Sequence, residues 1–330
     1  MRVLFIVNIA GLESGILTYA KELKEALSKE GIAIDVDRLD SKHYDLIHVH
    51  NPFPSFFLFE TMLRFYGTPV IYSANMTENQ IRGLAPETFK LPARQYLNFF
   101  YSRCEKIICP SEKVVNDLQS CRDKRILLPY PVDLNKFKKD EKSGLDFRKK
   151  YGITRQIILC VASIQERKGI FDFVDAAKSF PQYDFVWVGE IPDTHTLKYK
   201  RRIKRIVNNP PKNVIFVGHI EKNELYKAYN AADLFVLPSH SETFGLVIAE
   251  AASCGIPVLI RNLQEFSYFS DFAQMFSNQA EFKHKIKQIM ENPGKRKSLS
   301  DLSLNARNKF DVNIHIKRMK EIYESVLNKK

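Results

Sequence analysis

Short apolar runs punctuate the first third of the chain at 3–7, 32–36, 45–50, 69–72 and 106–110, separated by longer polar or mixed segments. Continuous runs of this length predict strands buried on both faces, as in parallel sheets. After the first run a loop covers 8–15, and Ile16, Tyr19, Leu23 and Leu27 then recur at helical spacing until Gly31. Strand, loop and helix therefore follow one another. The stretch 134–155 is charged, with Lys136, Lys138, Lys139, Asp140, Glu141 and Lys142 close together and Gly144 and Gly152 as breakers, so a linker is expected there. A second alternation places strands at 157–162, 185–188, 214–217, 234–237 and 257–260, with helices at 171–179, 199–207, 224–231 and 245–254 between them. The last helical pattern, 314–327, has no strand partner.

The simplest architecture is α/β: two doubly wound, Rossmann-like domains facing a central cleft. The expected division is an N-terminal domain at 1–145, a second domain at 146–312, and a helix at 313–330 that crosses back onto the N-terminal domain. Ligands of such sheets sit at the carboxyl ends of the strands, so the loops there are where chemistry is expected.

Composition narrows the class. At 330 residues the chain is long enough for about two domains, and 45% hydrophobic with 27% charged residues argues against disorder or low complexity. No run approaches the roughly 18 apolar residues of a membrane span, and 3–7 is too short for a secretory core, so a cytoplasmic protein is expected. The five cysteines contain no C-x-x-C pair, which indicates neither a disulfide framework nor a zinc site. Fifty Lys and Arg against 38 Asp and Glu give a net +12, and residues 1–133 are balanced at 16 each, so the excess lies wholly beyond them. An anionic partner such as a nucleotide or an acidic lipid is favoured.

Two loops carry candidate chemistry. The segment 241–250 reads Ser-Glu-Thr-Phe-Gly-Leu-Val-Ile-Ala-Glu after an apolar strand. Glu242 falls at the strand's end, Gly245 allows close backbone approach and opens a helix whose N–H groups can face an anion, and Glu250 can accept from paired sugar hydroxyls. An ordinary first-turn Glu followed by a surface Glu is the alternative. After the first strand of the second half, Arg167 and Lys168 stand next to Gly169, where they can clamp a diphosphate. A solvated basic turn is the alternative there.

In order along the chain, Ser14-Gly15, Asp-Leu-Ile-His-Val-His at 45–50, Pro110-Ser111, Arg167-Lys168-Gly169, Ala-Asp-Leu-Phe-Val-Leu-Pro-Ser at 232–239 and the pair Glu242 and Glu250 resemble the retaining glycosyltransferases of group 1, or family four. The resemblance covers about 260 residues and implies the GT-B fold. It also implies that Arg167 and Lys168 bind a donor diphosphate and that Glu242 faces the donor sugar beside the backbone N–H groups of Phe244, Gly245 and Leu246. Glu250 would bind ribose, Ser14 and Gly15 would close on the diphosphate, and Ile220 would pack on the nucleobase. No metal ion or cofactor is implied beyond the nucleotide sugar, expected to be UDP-linked. The family commonly has a His near the donor sugar, and the aligned position here is Asn75, which can hydrogen-bond but cannot take a proton. His48 and His50 are expected on opposite faces of their strand, in packed or hydrogen-bonded roles.

Local segments, such as 167–173 and 210–218, resemble the bacterial glycolipid branch, which adds a hexose to glycosyl-diacylglycerol. In the stretch 89–106, Lys90, Arg94, Arg103 and Lys106 interleave with Phe89, Tyr96, Leu97, Phe99, Phe100 and Tyr101. That helix fits either an anionic membrane surface or an ordinary core face. Phe53, Phe56, Phe57 and Phe59 fit an acyl groove or a core helix alike. The basic run 198–205 has no nucleic-acid signature, so no nucleic acid partner is expected. The expected activity is retaining transfer from UDP-glucose or UDP-galactose to a glycolipid at the inner face of the membrane. A saccharide acceptor, or a silent sugar-nucleotide-binding protein, are the alternatives.

Overall fold

The computed structural model describes residues 1–7, 15–37, 43–50, 67–75, 90–192 and 199–328. The chain forms two compact units, Met1–Tyr130 with Val312–Lys330, and Pro131–Asp311.

Unit 1 holds six strands: β1 (Arg2–Ile6), β2 (Ala33–Val36), β3 (Leu46–Val49), β4 (Val70–Ser73), β5 (Lys106–Cys109) and β6 (Arg125–Leu127). They pair in parallel in the order β2-β1-β3-β4-β5-β6. The order reverses between β1 and β3, which makes the carboxyl ends of that pair the topological switch point. On one face lies α1 (Gly15–Lys29), whose Tyr19, Leu23 and Leu27 pack on Val3 and Phe5. On the other lies α2 (Lys90–Ser102), whose Leu97, Phe100 and Tyr101 pack against Tyr72 and Ile107. A short helix, α3 (Glu112–Asp117), is N-capped by Ser111.

Unit 2 repeats the design with β7 (Ile157–Val161), β8 (Asp184–Val188), β9 (Val214–Gly218), β10 (Leu234–Leu237), β11 (Val258–Arg261) and β12 (Gln274–Phe276), ordered β12-β11-β10-β7-β8-β9. Its switch point lies between β7 and β10. The helices are α4 (Glu141–Tyr151), α5 (Ile170–Ser179), α6 (Lys200–Asn208), α7 (Leu225–Ala231), α8 (Leu246–Ser253), α9 (Gln279–Met290) and α10 (Pro293–Ala306). The strands are almost wholly buried: β7, β8 and β10 have no exposed position.

The expected boundary at 145 is corrected to Tyr130/Pro131, and the expected linker is a helix of unit 2. Asp140 caps α4 by accepting from Ser143 N at 3.2 Å, and Gly152 ends it at φ +63°. Gly144 is not a breaker. A Cβ there would stand 2.3 Å from the Asn230 carbonyl oxygen, so glycine is what lets α4 lie directly on α7. The final helix, α11 (Val312–Leu327), belongs to unit 1. Its Ile316, Met319, Ile322 and Tyr323 share a core with Tyr19 and Leu23, and His315 Nε2 bonds the Tyr19 hydroxyl at 3.0 Å.

Candidate active site

The unit 2 site is assembled by two loops that leave the switch-point strands. After β7 the chain makes a single 3₁₀ turn, Glu166–Lys168, closed by Gly169 at φ +79°. A Cβ on Gly169 would meet the Pro238 carbonyl oxygen at 2.2 Å, so the turn after β7 is pressed onto the end of β10. The His240 N–H donates to the Arg167 carbonyl at 2.7 Å and seals that contact. Two residues on from His240, Glu242 forms an ion pair with Lys168, and the Ser239 hydroxyl donates to the same Oε1 at 2.9 Å. Lys168 and Glu242, 74 positions apart, are thus direct partners with side chains 15% and 10% exposed.

Burial pulls the Lys168 ammonium below the ordinary lysine range; Glu242 opposes that pull and the neighbouring Arg167 adds to it. Arg167 itself is exposed, its Nε donating to Gln165 Oε1 at 3.2 Å. An anion arriving here meets two adjacent cations, one free to turn and one already committed to a carboxylate.

Gly245, φ +87°, is the N-cap of α8 and brings no side-chain cap, so the helix opens on backbone alone, with the Ile248 N–H turned back to the Gly245 carbonyl at 2.9 Å. A Cβ on Gly245 would stand 2.8 Å from Ile248 Cδ1 and 2.9 Å from Phe266 Cε1. Phe244 turns into the core against Phe269, at a ring separation of 5.0 Å, which leaves Phe244 and Gly245 only their backbone to offer a ligand. Glu250 is no surface residue. It is 3% exposed, accepts from the Tyr229 hydroxyl at 2.7 Å through Oε2, and has Lys222 Nζ 4.0 Å from Oε1. Ile220 is half-buried beyond β9, at the sheet's edge, away from the switch-point pair of strands.

A buttress behind the loop escaped sequence reasoning. Asp172 Oδ2 accepts from Arg261 at 2.6 Å and from His240 Nε2 at 2.8 Å, while Arg261 Nε donates to the Pro238 carbonyl at 3.2 Å. Two elements, α5 and β11, thereby hold 238–240 in place. Their sequence separations of 68 and 89 residues left no local signal.

Unit 1 presents a different set. Asn75 is 3% exposed; its Nδ2 donates to the His50 carbonyl at 3.0 Å and its Oδ1 accepts from the Tyr130 hydroxyl. Each end of the amide already has a protein partner, so Asn75 braces the ends of β3 and β4. His48 and His50 share one face, contrary to expectation, with rings stacked at 4.2 Å. Two residues apart on a strand, the pleat returns to the same side. His48 bonds Tyr323 Oη at 2.7 Å and Ser73 Oγ at 2.8 Å. His50 is fully buried with no hydrogen-bond partner for either ring nitrogen among the described residues, and burial pushes it down to about 3, so it is neutral. Gly15 opens α1. Ser14 lies outside the described residues, as do Phe53, Phe56, Phe57, Phe59 and Phe89.

In α2 most of the aromatic stripe is core: Leu97, Phe100 and Tyr101 are at most 4% exposed, while Phe99 is 45% exposed with Arg103 over its ring at 5.2 Å. No helix among the described residues is long and apolar enough to cross a membrane, and none of them form a group of three or more His, Cys, Asp or Glu that could hold a metal ion.

The family model described as glycosyl transferases group 1 matches residues 145–309, half of the chain, and that described as glycosyltransferase family 4 matches 36–136. The chain belongs to the group 1 glycosyltransferases. Its two parallel six-stranded sheets form the GT-B fold. Sucrose-phosphate synthase from Thermosynechococcus elongatus has a TM-score of 0.85 at 19% identity, over all of both chains. Anabaena HepE, solved with UDP and glucose, has 0.82 at 17%, over 98% of this chain and 100% of that one.

Among curated relatives, the alpha-galactosylglucosyldiacylglycerol synthase of Streptococcus pneumoniae is 28% identical over 238 residues, which are 70% of this chain and 64% of that protein. This match therefore spans just under two thirds of its relative. The processive diacylglycerol alpha-glucosyltransferase of Acholeplasma laidlawii is 25% identical over 293 residues, 84% of each chain. A UDP-Gal:alpha-D-GlcNAc-diphosphoundecaprenol alpha-1,3-galactosyltransferase of Escherichia coli is 26% identical over 318 residues, 88% of this chain and 78% of that one.

Proposed function

We propose that this chain transfers a hexose, with retention and without a metal ion, from UDP-glucose or UDP-galactose to a membrane glycolipid such as glucosyl-diacylglycerol. The observation that carries the reading is the Lys168–Glu242 pair across the switch point of unit 2. Where a nucleoside diphosphate leaves an anomeric carbon, negative charge builds on the phosphate while the sugar becomes oxocarbenium-like. Fixed cations at the phosphate and a carboxylate toward the sugar stabilise both partners of that separation.

In this reading Arg167 and Lys168 take the diphosphate, aided by the backbone N–H groups of Phe244, Gly245 and Leu246 where the chain enters α8. Glu242, steadied by Ser239, faces the sugar, and Glu250 accepts from the ribose hydroxyls. Ile220 packs on the base. The anomeric C–O bond to phosphate breaks, the acceptor oxygen bonds the same face of the carbon, and the acceptor proton passes to the departing phosphate oxygen. No enzyme nucleophile is required. Asn75 acts by holding the β3 and β4 ends together.

The glycolipid acceptor is supported by the diacylglycerol-directed names of two relatives. A lipid-linked saccharide acceptor is favoured by the Escherichia coli relative, whose alignment takes in more of this chain. Contact with an anionic inner membrane face would use Phe99 of α2 and Arg103 just beyond its end. The test is incubation with labelled UDP-glucose or UDP-galactose, without metal, and mixed micelles with or without glucosyl-diacylglycerol. Label in the lipid phase only when glucosyl-diacylglycerol is present is expected. Donor hydrolysis or binding with no lipid label would refute the glycolipid acceptor, and binding with no turnover on any acceptor would return the silent-binder reading.

A further inference from the structure

Each carboxylate of the motif accepts from a buried hydroxyl and faces a lysine. Glu242 takes Ser239 at 2.9 Å and Lys168 in direct contact; Glu250 takes Tyr229 at 2.7 Å, with Lys222 at 4.0 Å. The two groups differ in which partner is close. At Glu242 the ammonium touches the carboxylate, whereas at Glu250 the hydroxyl makes the short bond and the ammonium stands off.

Tyr229 has little room to do anything else. Its ring is fully buried with Phe137 at 6.0 Å and Phe235 at 5.9 Å. Its helix, α7, is locked onto α4 by the close approach at Gly144, by Asp140 N–H donating to Asn230 Oδ1 at 2.7 Å, and by Asn230 Nδ2 donating to the Lys138 carbonyl at 2.9 Å. A phenol fixed in this way is a rigid donor, and burial keeps it protonated. Bonded to one carboxylate oxygen, it sets the rotation of the whole group. A carboxylate that must accept from two adjacent hydroxyls of a sugar ring needs that rotation set in advance, because each misaligned hydrogen bond weakens steeply with angle.

We propose that Tyr229 is the positioning residue of the nucleotide site: by donating to Glu250 Oε2 it orients the carboxylate for the 2′- and 3′-hydroxyls of a ribonucleotide, with the Lys222 ammonium 4.0 Å from the other oxygen. The inference rests on the ribose role given to Glu250 above. Tyr229 touches no substrate, and its effect is confined to the ribose.

The test measures affinity by calorimetry for the tightest binder among UDP, GDP and ADP and for its 2′,3′-dideoxy counterpart, and takes the ratio of the two. Glu250→Gln collapses the wild-type ratio. Tyr229→Phe lowers it about tenfold, the size expected when a hydrogen bond to a charged group is lost, by weakening the ribonucleotide alone. Tyr229→Phe added to Glu250→Gln lowers it no further. Lys222→Met, a change at a partly exposed side chain that does not disturb the core, lowers the ratio in the same direction by a few-fold.

A Tyr229→Phe protein that keeps the wild-type ratio, or weakens both nucleotides equally, while Glu250→Gln collapses it, overturns the inference and leaves Tyr229 a packing residue. If Tyr229→Phe does not fold, an unchanged ratio in Lys222→Met overturns the proposed carboxylate clamp. A wild-type ratio retained by Glu250→Gln, or no binding of any of the three nucleotides, overturns instead the reading on which the inference rests.

Discussion

The two units build the same six-stranded parallel sheet, yet the carboxyl ends of those sheets carry opposite chemistry. In unit 2, Lys168, Glu242 and Glu250 are charged groups held in pairs, and the half of the chain that contains them carries the whole +12. Among the described residues at the corresponding end of unit 1, His48 and His50 are stacked and kept unprotonated by burial, Asn75 is bonded to Tyr130, and Asp37 accepts from the Val7 N–H at 2.8 Å. One scaffold therefore sets paired charges at the end of one sheet and, among the described residues, packed neutral imidazoles at the end of the other.

The contrast is sharpest at Lys168. Lys168→Ala is expected to lower kcat about 10²- to 10³-fold, the cost of removing one preorganised charge from a charge-developing step, as read by single-turnover label transfer. Glu242→Ala should cost a similar amount, and the double variant much less than the product, because the two residues act as one unit. Independent, multiplicative losses would separate the pair.

Glycine geometry distinguishes the units next. Gly169 and Gly31 have nearly the same φ, +79° and +81°, but a Cβ at Gly169 meets the Pro238 backbone while one at Gly31 meets nothing within 4 Å. Gly31→Ala is expected to cost only the left-handed penalty of about 1–2 kcal/mol, and Gly169→Ala more, with weaker nucleotide binding as the two loops part. Denaturant titration of both variants checks the order, and equal costs would contradict the close approach.

Acid should act mainly on unit 1. Burial lowers His48, His50 and His315, the last two to about 3 and about 4. Their folded values lie below the unfolded 6.5, so the unfolded chain binds more protons as pH falls below about 6.5. Stability is full above that pH and is lost toward pH 4, by about 1.4 kcal/mol per pH unit for each such histidine. Hydrogen exchange of β1 and β3 should accelerate over that range before that of β7 and β10. The smallest effect separates the two stacked rings. His48→Phe loses bonds to Tyr323 and Ser73 and should cost about 1–3 kcal/mol, whereas His50→Phe breaks no ring bond and should lie within about 1 kcal/mol of wild type in thermal unfolding.

Much of this contrast was legible in the chain itself, for a physical reason. Buried parallel strands are continuous apolar runs, and 157–162, 234–237 and 257–260 fall on β7, β10 and β11 because nothing tertiary is needed to produce that pattern. The residues of the Lys168–Glu242 pair stood out because each adjoins a glycine-marked loop at a strand end. What stayed hidden depends on contacts between distant segments. β12 is only three residues long, and Gly144 looked like a breaker because its partner, Asn230, lies 86 positions away. The Asp172 buttress and the Tyr229 bond to Glu250 join residues whose spacing carries no period. Glu250 looked equally like a surface side chain until the helix packing placed Tyr229 against it.

The most direct measurement is the affinity of UDP for wild type, Lys168→Ala and His50→Phe under one set of conditions. The account predicts at least a tenfold loss in Lys168→Ala and wild-type affinity in His50→Phe, since a clamped diphosphate depends on charge-assisted bonds worth about 1.5–3 kcal/mol. Unchanged affinity in Lys168→Ala together with a loss in His50→Phe would move the nucleotide to unit 1 and contradict it.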